Sequence, residues 1–426
     1  MQEAFLHYIW LTRQFDQRQL RLTDGRPLEI IRYGKHNHDS GPDFQHGQIR
    51  IEDTMLAGHI EIHIQSAEWR QHGHHEDPAY KNVILHVVWS DDQPVIGTHG
   101  LPIPTLELET RVSQSMYRHY LRIMHNQERI PCRPLHPEQV PAEIWAIWKE
   151  RLVIERLQRK VHLVSTHADL AVQDWEEILF RQLCIAMGMK VNKAAMEHLA
   201  SKLSKLVLER NRDRSLAVPA LIFGVAGMLS SDPGDEYQRS LKQEWEFQKN
   251  KYQLQEMNSV EWKYARMHPP NFPDIRLAQL VKLFSTHSHL LSTIVNDPEI
   301  SSVRKLLAPG ELDDYWLTHF RLGKEPSTSR TKKIGNQSID ILIINAVVPV
   351  LFLYAYTQGD NSLQDKAITM LERMAPEVNS VTRLWKSIGV DSAHAGDSQA
   401  LIQLTNEYCS EKRCLECSIG HHLLRT

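Results

Sequence analysis

The chain has 426 residues, 42% of them hydrophobic and 24% charged, with a formal net charge of −3. That length suits two or three domains, and the composition excludes a disordered or fibrous chain and a protein coated in basic surface. Any nucleic-acid contact must therefore rest on a local patch.

Histidine is unevenly spread. Of 24 histidines, 14 lie between His7 and His136, which points to metal or proton chemistry in the first third of the chain. The start, MQEAFLHYIW, lacks the basic opening and long apolar core of a secretory signal, and five cysteines do not make a disulfide framework. A reducing cytoplasm is the expectation. The most apolar run, Ile339 to Tyr356, carries Asp340, Asn345 and Pro349 and reads as a buried core helix, so no membrane partner is expected.

Taken in order, Glu3 to Phe15 has helical spacing. QLRLT and LEIIRY then read as two strands joined at Asp24-Gly25. QIRIED and HIEIHIQ read as a second hairpin turning across Thr54 to Gly58. NVILHVVW is apolar enough for a central strand, PTLELE is a short strand, and a helix follows from about Ser113 to Gln127. Beyond Pro141, segments such as IWAIWKERLVIERLQRKVHLV and WEEILFRQLCIAMG show spacing of three and four. Three prolines from Pro134 to Pro141 mark the boundary. The expected fold class is α+β: a mixed-sheet domain over residues 1–138, then a helical domain over 139–426 that ends in a cysteine-rich segment.

The chemistry concentrates in HIEIHIQ. His59, Glu61, His63 and Gln65 alternate with Ile60, Ile62 and Ile64, so a strand puts the polar set on one face and the isoleucines on the other. A carboxylate, two imidazoles and an amide on one face suit a metal or a general base. Asp43, at the mouth of the partner strand, supplies a second carboxylate. With Asp43 and Glu61 as ligands to manganese or magnesium, His63 serves as third ligand or base, and Gln65 fixes a water or a phosphate oxygen. In HGHHEDPAY, either His72 or His75 is placed to fold back toward the strand; His86, inside VILHVV, reads as a buried, hydrogen-bonded histidine.

Pro42-Asp43, a hairpin and then Glu61-Ile62-His63 resemble the PD-(D/E)XK nuclease signature, with His63 at the lysine position. The order of helix, strands, short crossover and strand resembles that fold's core as well. The resemblance implies a restriction-endonuclease-like domain that cleaves DNA or RNA with a divalent ion. The departure is that histidine is not a fixed cation. Over nearly its whole length the chain also resembles an uncharacterised bacterial family, domain-of-unknown-function family 2851, through GPDF, EIHIQSAEW, HGHHEDPAY, VILHVV, NFPDIR and YCSEKRCLECSIG. That second resemblance implies no activity.

Cys409, Cys414 and Cys417 have the spacing C-x4-C-x2-C, better suited to a metal than to disulfides. Zinc is expected, with His421, His422 or Cys132 as fourth ligand; Cys132 would equally complete the four thiolates of an iron–sulfur cluster. The basic candidates for nucleic-acid contact include Arg156, Lys160, Arg266, Arg276, Lys332 and Lys333. The leading expectation is a metal-dependent nuclease. Its rivals are a histidine-rich zinc or manganese hydrolase of a small substrate, and a non-catalytic nucleic-acid- or protein-binding module with a degenerate nuclease fold.

Overall fold

The computed structural model describes residues 1–166, 174–327 and 329–426, with side chains left aside at 161–166. Two compact units result. The first comprises Met1–Trp148, Ile388–Val390 and Leu404–Thr426; the second comprises Lys149–Ser387 and Asp391–Gln403.

The first unit opens with α1 (Glu3–Thr12), which ends one turn before the expected Phe15 because Arg13 takes a left-handed conformation at its C-cap. Its buried side, Phe5, Leu6, Ile9 and Trp10, is fully enclosed. The expected strand at QLRLT is reduced to a single bridge between Arg21 and Pro27. Pro27 has no N–H to donate, so the ladder cannot extend there.

The sheet itself is built from β1 (Leu28–Arg32), β2 (Lys35–His36), β3 (Phe44–Ile51), β4 (Thr54–Gln65), β5 (Val83–Ser90) and β6 (Thr105–Glu107). Its order is β1-β3-β4-β5-β6, with β2 pairing β3. The β3 strand runs antiparallel to β1 and β4, whereas β4, β5 and β6 are parallel. The β3–β4 turn falls at Glu52-Asp53, earlier than expected, with Glu52 at φ 52° and Ile51 paired to Thr54. The strand β4 is therefore longer than HIEIHIQ alone.

Between the parallel strands β4 and β5 comes a short crossover: α2 (Glu68–Gln71), a turn at Gly73 and a 3-10 turn at Pro78–Tyr80. Next, α3 (Gln114–His125) stacks Tyr120 on Phe5 of α1, ring centroids 4.1 Å apart. The cysteine-rich tail, which sequence reading assigned to the helical domain, belongs to this first unit. Its final helix, Ser418–Arg425, buries Ile419, Leu423 and Leu424 and packs on α3, because apolar residues spaced by four need a surface to cover.

The second unit is helical. It takes up α4 (Ala142–Thr166) from Lys149 onward, then helices including Trp175–Met187, Lys193–Lys202, Ala217–Val225, Glu236–Tyr252 and Pro273–Thr286. The apolar run lies within a continuous helical stretch, Asn336–Gln358, whose most apolar window is 72% buried inside the protein. A π turn at Ile343–Val347 precedes Pro349, which sits in the first turn of the next α segment, where its missing N–H costs least.

Candidate metal centre

Both faces of β4 are covered. Ile60 and Ile62 are fully buried, yet Glu61 and His63 on the opposite face are only 4% and 1% exposed, so the polar face is no solvated surface. Buried polar groups of this kind need partners.

Asp43 and Glu61 are joined across the hairpin by two reciprocal bonds. The Asp43 N–H donates to Glu61 Oε2 at 3.1 Å, and the Ile62 N–H donates to Asp43 Oδ2 at 2.9 Å. Pairing of Phe44 with Ile60 sets this register. Helix α1 then brings Glu3 and His7, four residues apart on one face, onto the same point. His7 Nε2 lies 3.3 Å from Asp43 Oδ2, and one ligand atom each from Glu3, His7 and Asp43 falls within 4.8 Å of the others.

A second cluster adjoins the first through Glu61. Its Oε1 lies 3.3 Å from His74 Nε2 and 3.7 Å from His63 Nε2. His63, His72 and His74 also place one nitrogen each within 4.8 Å of one another. His63 Nδ1 meets His86 Nε2 at 2.8 Å, and its Nε2 meets His72 Nδ1 at 3.2 Å, so three imidazoles form a chain from the sheet interior toward exposed His72.

Local sequence explains why the crossover returns to the strand. The Glu68 carboxylate accepts from the N–H groups of Ile64 and Gln65, Ser66 Oγ donates to Asp91, and the Ala67 N–H donates to Asp92 at the end of β5. Trp69, 1% exposed, fills the space beneath. Gly73, at φ 78°, then reverses the chain so that His74 stacks on Tyr80, ring centroids 3.8 Å apart.

The electrostatics divide the cluster. Burial, reinforced by His86, His74 and His72, pushes His63 down to about 2; burial likewise takes His86 down to about 3. Both imidazoles are neutral. Burial raises Glu61, the Asp43 charge adds to the rise, and the hydrogen bond from His74 opposes it. Burial pulls His7 downward, but the Asp43 carboxylate 3.3 Å away outweighs it and leaves His7 raised. Glu3 is raised by burial and then by Asp43.

Of the residues expected from sequence, Asp43, Glu61, His63 and His72 are brought together. Gln65 is not: it ends β4 and is exposed. His75 is not either, its Nε2 lying 3.3 Å from Glu76. Glu3 and His7 were missed, and His74, in the same histidine-rich segment, was passed over in favour of His72 or His75. The i, i+4 spacing of Glu3 and His7 was a visible signal, but only folding reveals that their face meets Asp43. His86 is buried and hydrogen-bonded as expected, and its partner is His63.

Several basic candidates are engaged within the second unit. Lys332 Nζ donates to the carbonyls of Trp316, Leu317 and Arg330; buried Arg276 bonds Asn271, Gln279 and Ser338. Arg156 and Lys160 both bond Gln399, and Lys160 also bonds Asn345. These four hold side chains and carbonyls of their own unit. Arg266 and Lys333 are exposed.

Residues 3–380 match the family described as Protein of unknown function (DUF2851). The chain belongs to that family. The match to DUF2851 covers Asp43, Glu61 and every histidine of the two clusters and stops short of Cys409, Cys414 and Cys417. No curated protein and no solved structure matches this DUF2851 chain.

Proposed function

We propose that the first unit is a divalent-metal-dependent phosphodiesterase of the nuclease kind, acting on DNA or RNA, with Asp43 and Glu61 as its acidic pair. The observation that carries this reading is the convergence of Glu3, His7 and Asp43 within 4.8 Å, with Glu61 hydrogen-bonded to the Asp43 backbone. An ion bound by oxygen at about 2.0–2.2 Å and by imidazole at about 2.0–2.1 Å holds neighbouring ligands about 3–4 Å apart, so small side-chain movements suffice. A site already gathered this closely fits an ion. The succession of helix, antiparallel hairpin, short crossover and parallel strand supports the PD-(D/E)XK resemblance.

Asp43, Glu61 and Glu3 would hold the ion through oxygen and His7 through nitrogen. When bound, it supplies Lewis acidity toward the phosphoryl oxygen and an acidified water. Imidazole among the ligands favours manganese over magnesium. His63, in the lysine position, is neutral and bonded on both nitrogens; it links His86 to His72 in a path for protons and provides no fixed positive charge.

A second reading rests on the imidazole cluster. His63, His72 and His74 beside Glu61 form a donor set suited to zinc or manganese in a hydrolase of a small ester or phosphodiester. The deciding experiment incubates purified protein with single- and double-stranded DNA and RNA, and with a small chromogenic phosphodiester, under manganese, magnesium or zinc. The nuclease reading expects manganese-dependent cleavage of a polymer, lost in Asp43→Asn and Glu61→Gln. Hydrolysis of the small substrate alone moves the assignment to the second reading. Inertness toward every substrate with every metal refutes both and leaves a binding module.

A further inference from the structure

The two donor groups of the first unit do not compete for atoms. One is Glu3, His7 and Asp43; the other is His63, His72 and His74. Glu61 lies between them and turns a different oxygen to each. Its Oε2 accepts from the Asp43 N–H at 3.1 Å, while its Oε1 lies 3.3 Å from His74 Nε2 and 3.7 Å from His63 Nε2.

The histidine group has the dimensions of a tetrahedral ion site. Bonds of about 2.0–2.1 Å to four donors at tetrahedral angles set neighbouring donor atoms about 3.3–3.4 Å apart. His63 Nε2 is 3.2 Å from His72 Nδ1, close to that spacing, as are the two distances from Glu61 Oε1. The rings give a second measure. An ion in line with each coordinating nitrogen lies about 3.2 Å from each ring centre, which puts three tetrahedrally placed ring centres about 5.2 Å apart. The observed separations are 5.0 Å for His63 and His72, 5.3 Å for His63 and His74, and 5.5 Å for His72 and His74. Rings packed only to fill space are not held to such a near-equilateral triangle.

The surroundings suit a bound ion. Glu61, His63 and His74 are buried, and exposed His72 opens the group to solvent. A ligating imidazole is steadied when its other nitrogen donates to a neighbour, and His63 Nδ1 meets His86 Nε2 at 2.8 Å. The thiols of the same unit are placed differently. Cys132, Cys409, Cys414 and Cys417 are buried and free, and among the described residues the ligand atoms that gather within 4.8 Å do not include theirs. The Nε2 of His421 is engaged by the Leu415 carbonyl.

We propose that the first unit holds two ions at once: a zinc bound by His63, His72, His74 and Glu61 Oε1, and the divalent ion of the Asp43 group, with the Glu61 carboxylate joining them. Imidazole-rich tetrahedral donors suit zinc, whereas a carboxylate-rich group suits manganese. Four protein donors complete the zinc shell and leave no position for a reacting water, so this zinc is not a hydrolytic centre. With three neutral imidazoles and one carboxylate, a divalent ion keeps a net charge of about +1. It is a fixed cation at His63, where imidazole alone supplies none, beside the group that would hold an anionic phosphodiester. That role rests on the phosphodiesterase reading; the count of two ions does not. In the loaded protein the zinc takes the place of the proton shared by His63 and His72.

The test counts ions on the full chain with no substrate present. Protein purified without chelator from zinc-supplemented culture is desalted, assayed for zinc by mass spectrometry, examined by X-ray absorption at the zinc edge, and titrated with manganese in calorimetry. One zinc per chain in a four-coordinate shell of nitrogen and oxygen, and one manganese that binds without releasing it, are expected. His74→Gln should lower zinc content several-fold and leave manganese affinity within about threefold, Glu61→Gln should weaken both ions, and His75→Gln should change neither. If His74→Gln fails to fold, the wild-type zinc-edge spectrum and manganese titration decide. Manganese that displaces zinc one for one overturns the two-ion centre. Zinc-free protein after reconstitution with zinc, zinc bound by sulfur alone, or a folded His74→Gln variant with full zinc overturns the histidine site. Two ions on a chain that cleaves no phosphodiester uphold the centre and refute the phosphodiesterase reading alone.

Discussion

Acidification should destabilise the metal-free first unit through His63 and His86. Both imidazoles are pushed down from an ordinary 6.5, to about 2 and about 3, burial being the main cause and neighbouring imidazoles the next for each. A depressed imidazole is neutral when folded and takes a proton when unfolded, so its contribution is intact above pH 6.5 and is lost progressively below it. At pH 5 each unfolded imidazole favours the unfolded chain by about 2 kcal/mol, so the pair costs about 4 kcal/mol, against a typical total of about 5–15. Glu61 and Glu3, raised by burial, act in the opposite sense, since their folded forms take up protons first as pH falls. A difference measurement isolates the histidines. His86→Leu removes one imidazole, including an Nδ1 that has no partner, and should reduce the slope of stability between pH 6 and 4 by about 1.4 kcal/mol per pH unit. Urea denaturation of chelator-treated protein measures that slope, and histidine NMR reports the sites directly. Parallel slopes for wild type and variant, or His63 and His86 resonances that titrate between pH 5 and 7, would refute the buried neutral chain.

Glu3→Gln should weaken manganese binding by tenfold or more in calorimetry, because α1 delivers that carboxylate to Asp43. His75→Ala should change it less than twofold; equal losses in the two variants would remove α1 from the site. Phe5→Ala, which empties a fully buried position stacked on Tyr120, should cost about 3–5 kcal/mol in denaturant unfolding. Gly58→Ala would place a Cβ 2.3 Å from the Asn82 carbonyl and 2.6 Å from Ile84 Cγ2. It should cost about 1–3 kcal/mol, and an unchanged melting temperature would show that β4 and β5 can separate there freely.

The sequence by itself determined the α+β class, the polar and apolar faces of β4, the candidacy of Asp43, Glu61 and His63, and the choice of a core helix for Ile339 to Tyr356. Each follows from periodicity or from residue chemistry within a few positions, which local geometry dictates. Tertiary structure decided the rest. It buried the polar face of β4, which an alternating pattern alone leaves equally compatible with solvent. It chose His74 over His75, because Gly73 sets the direction of a turn that spacing does not reveal. It brought Glu3 and His7 from α1 to Asp43, and it packed the final helix, from the far end of the chain, on α3. These are meetings between residues distant in sequence. They depend on which surfaces the hydrophobic core brings together, and no local pattern encodes that.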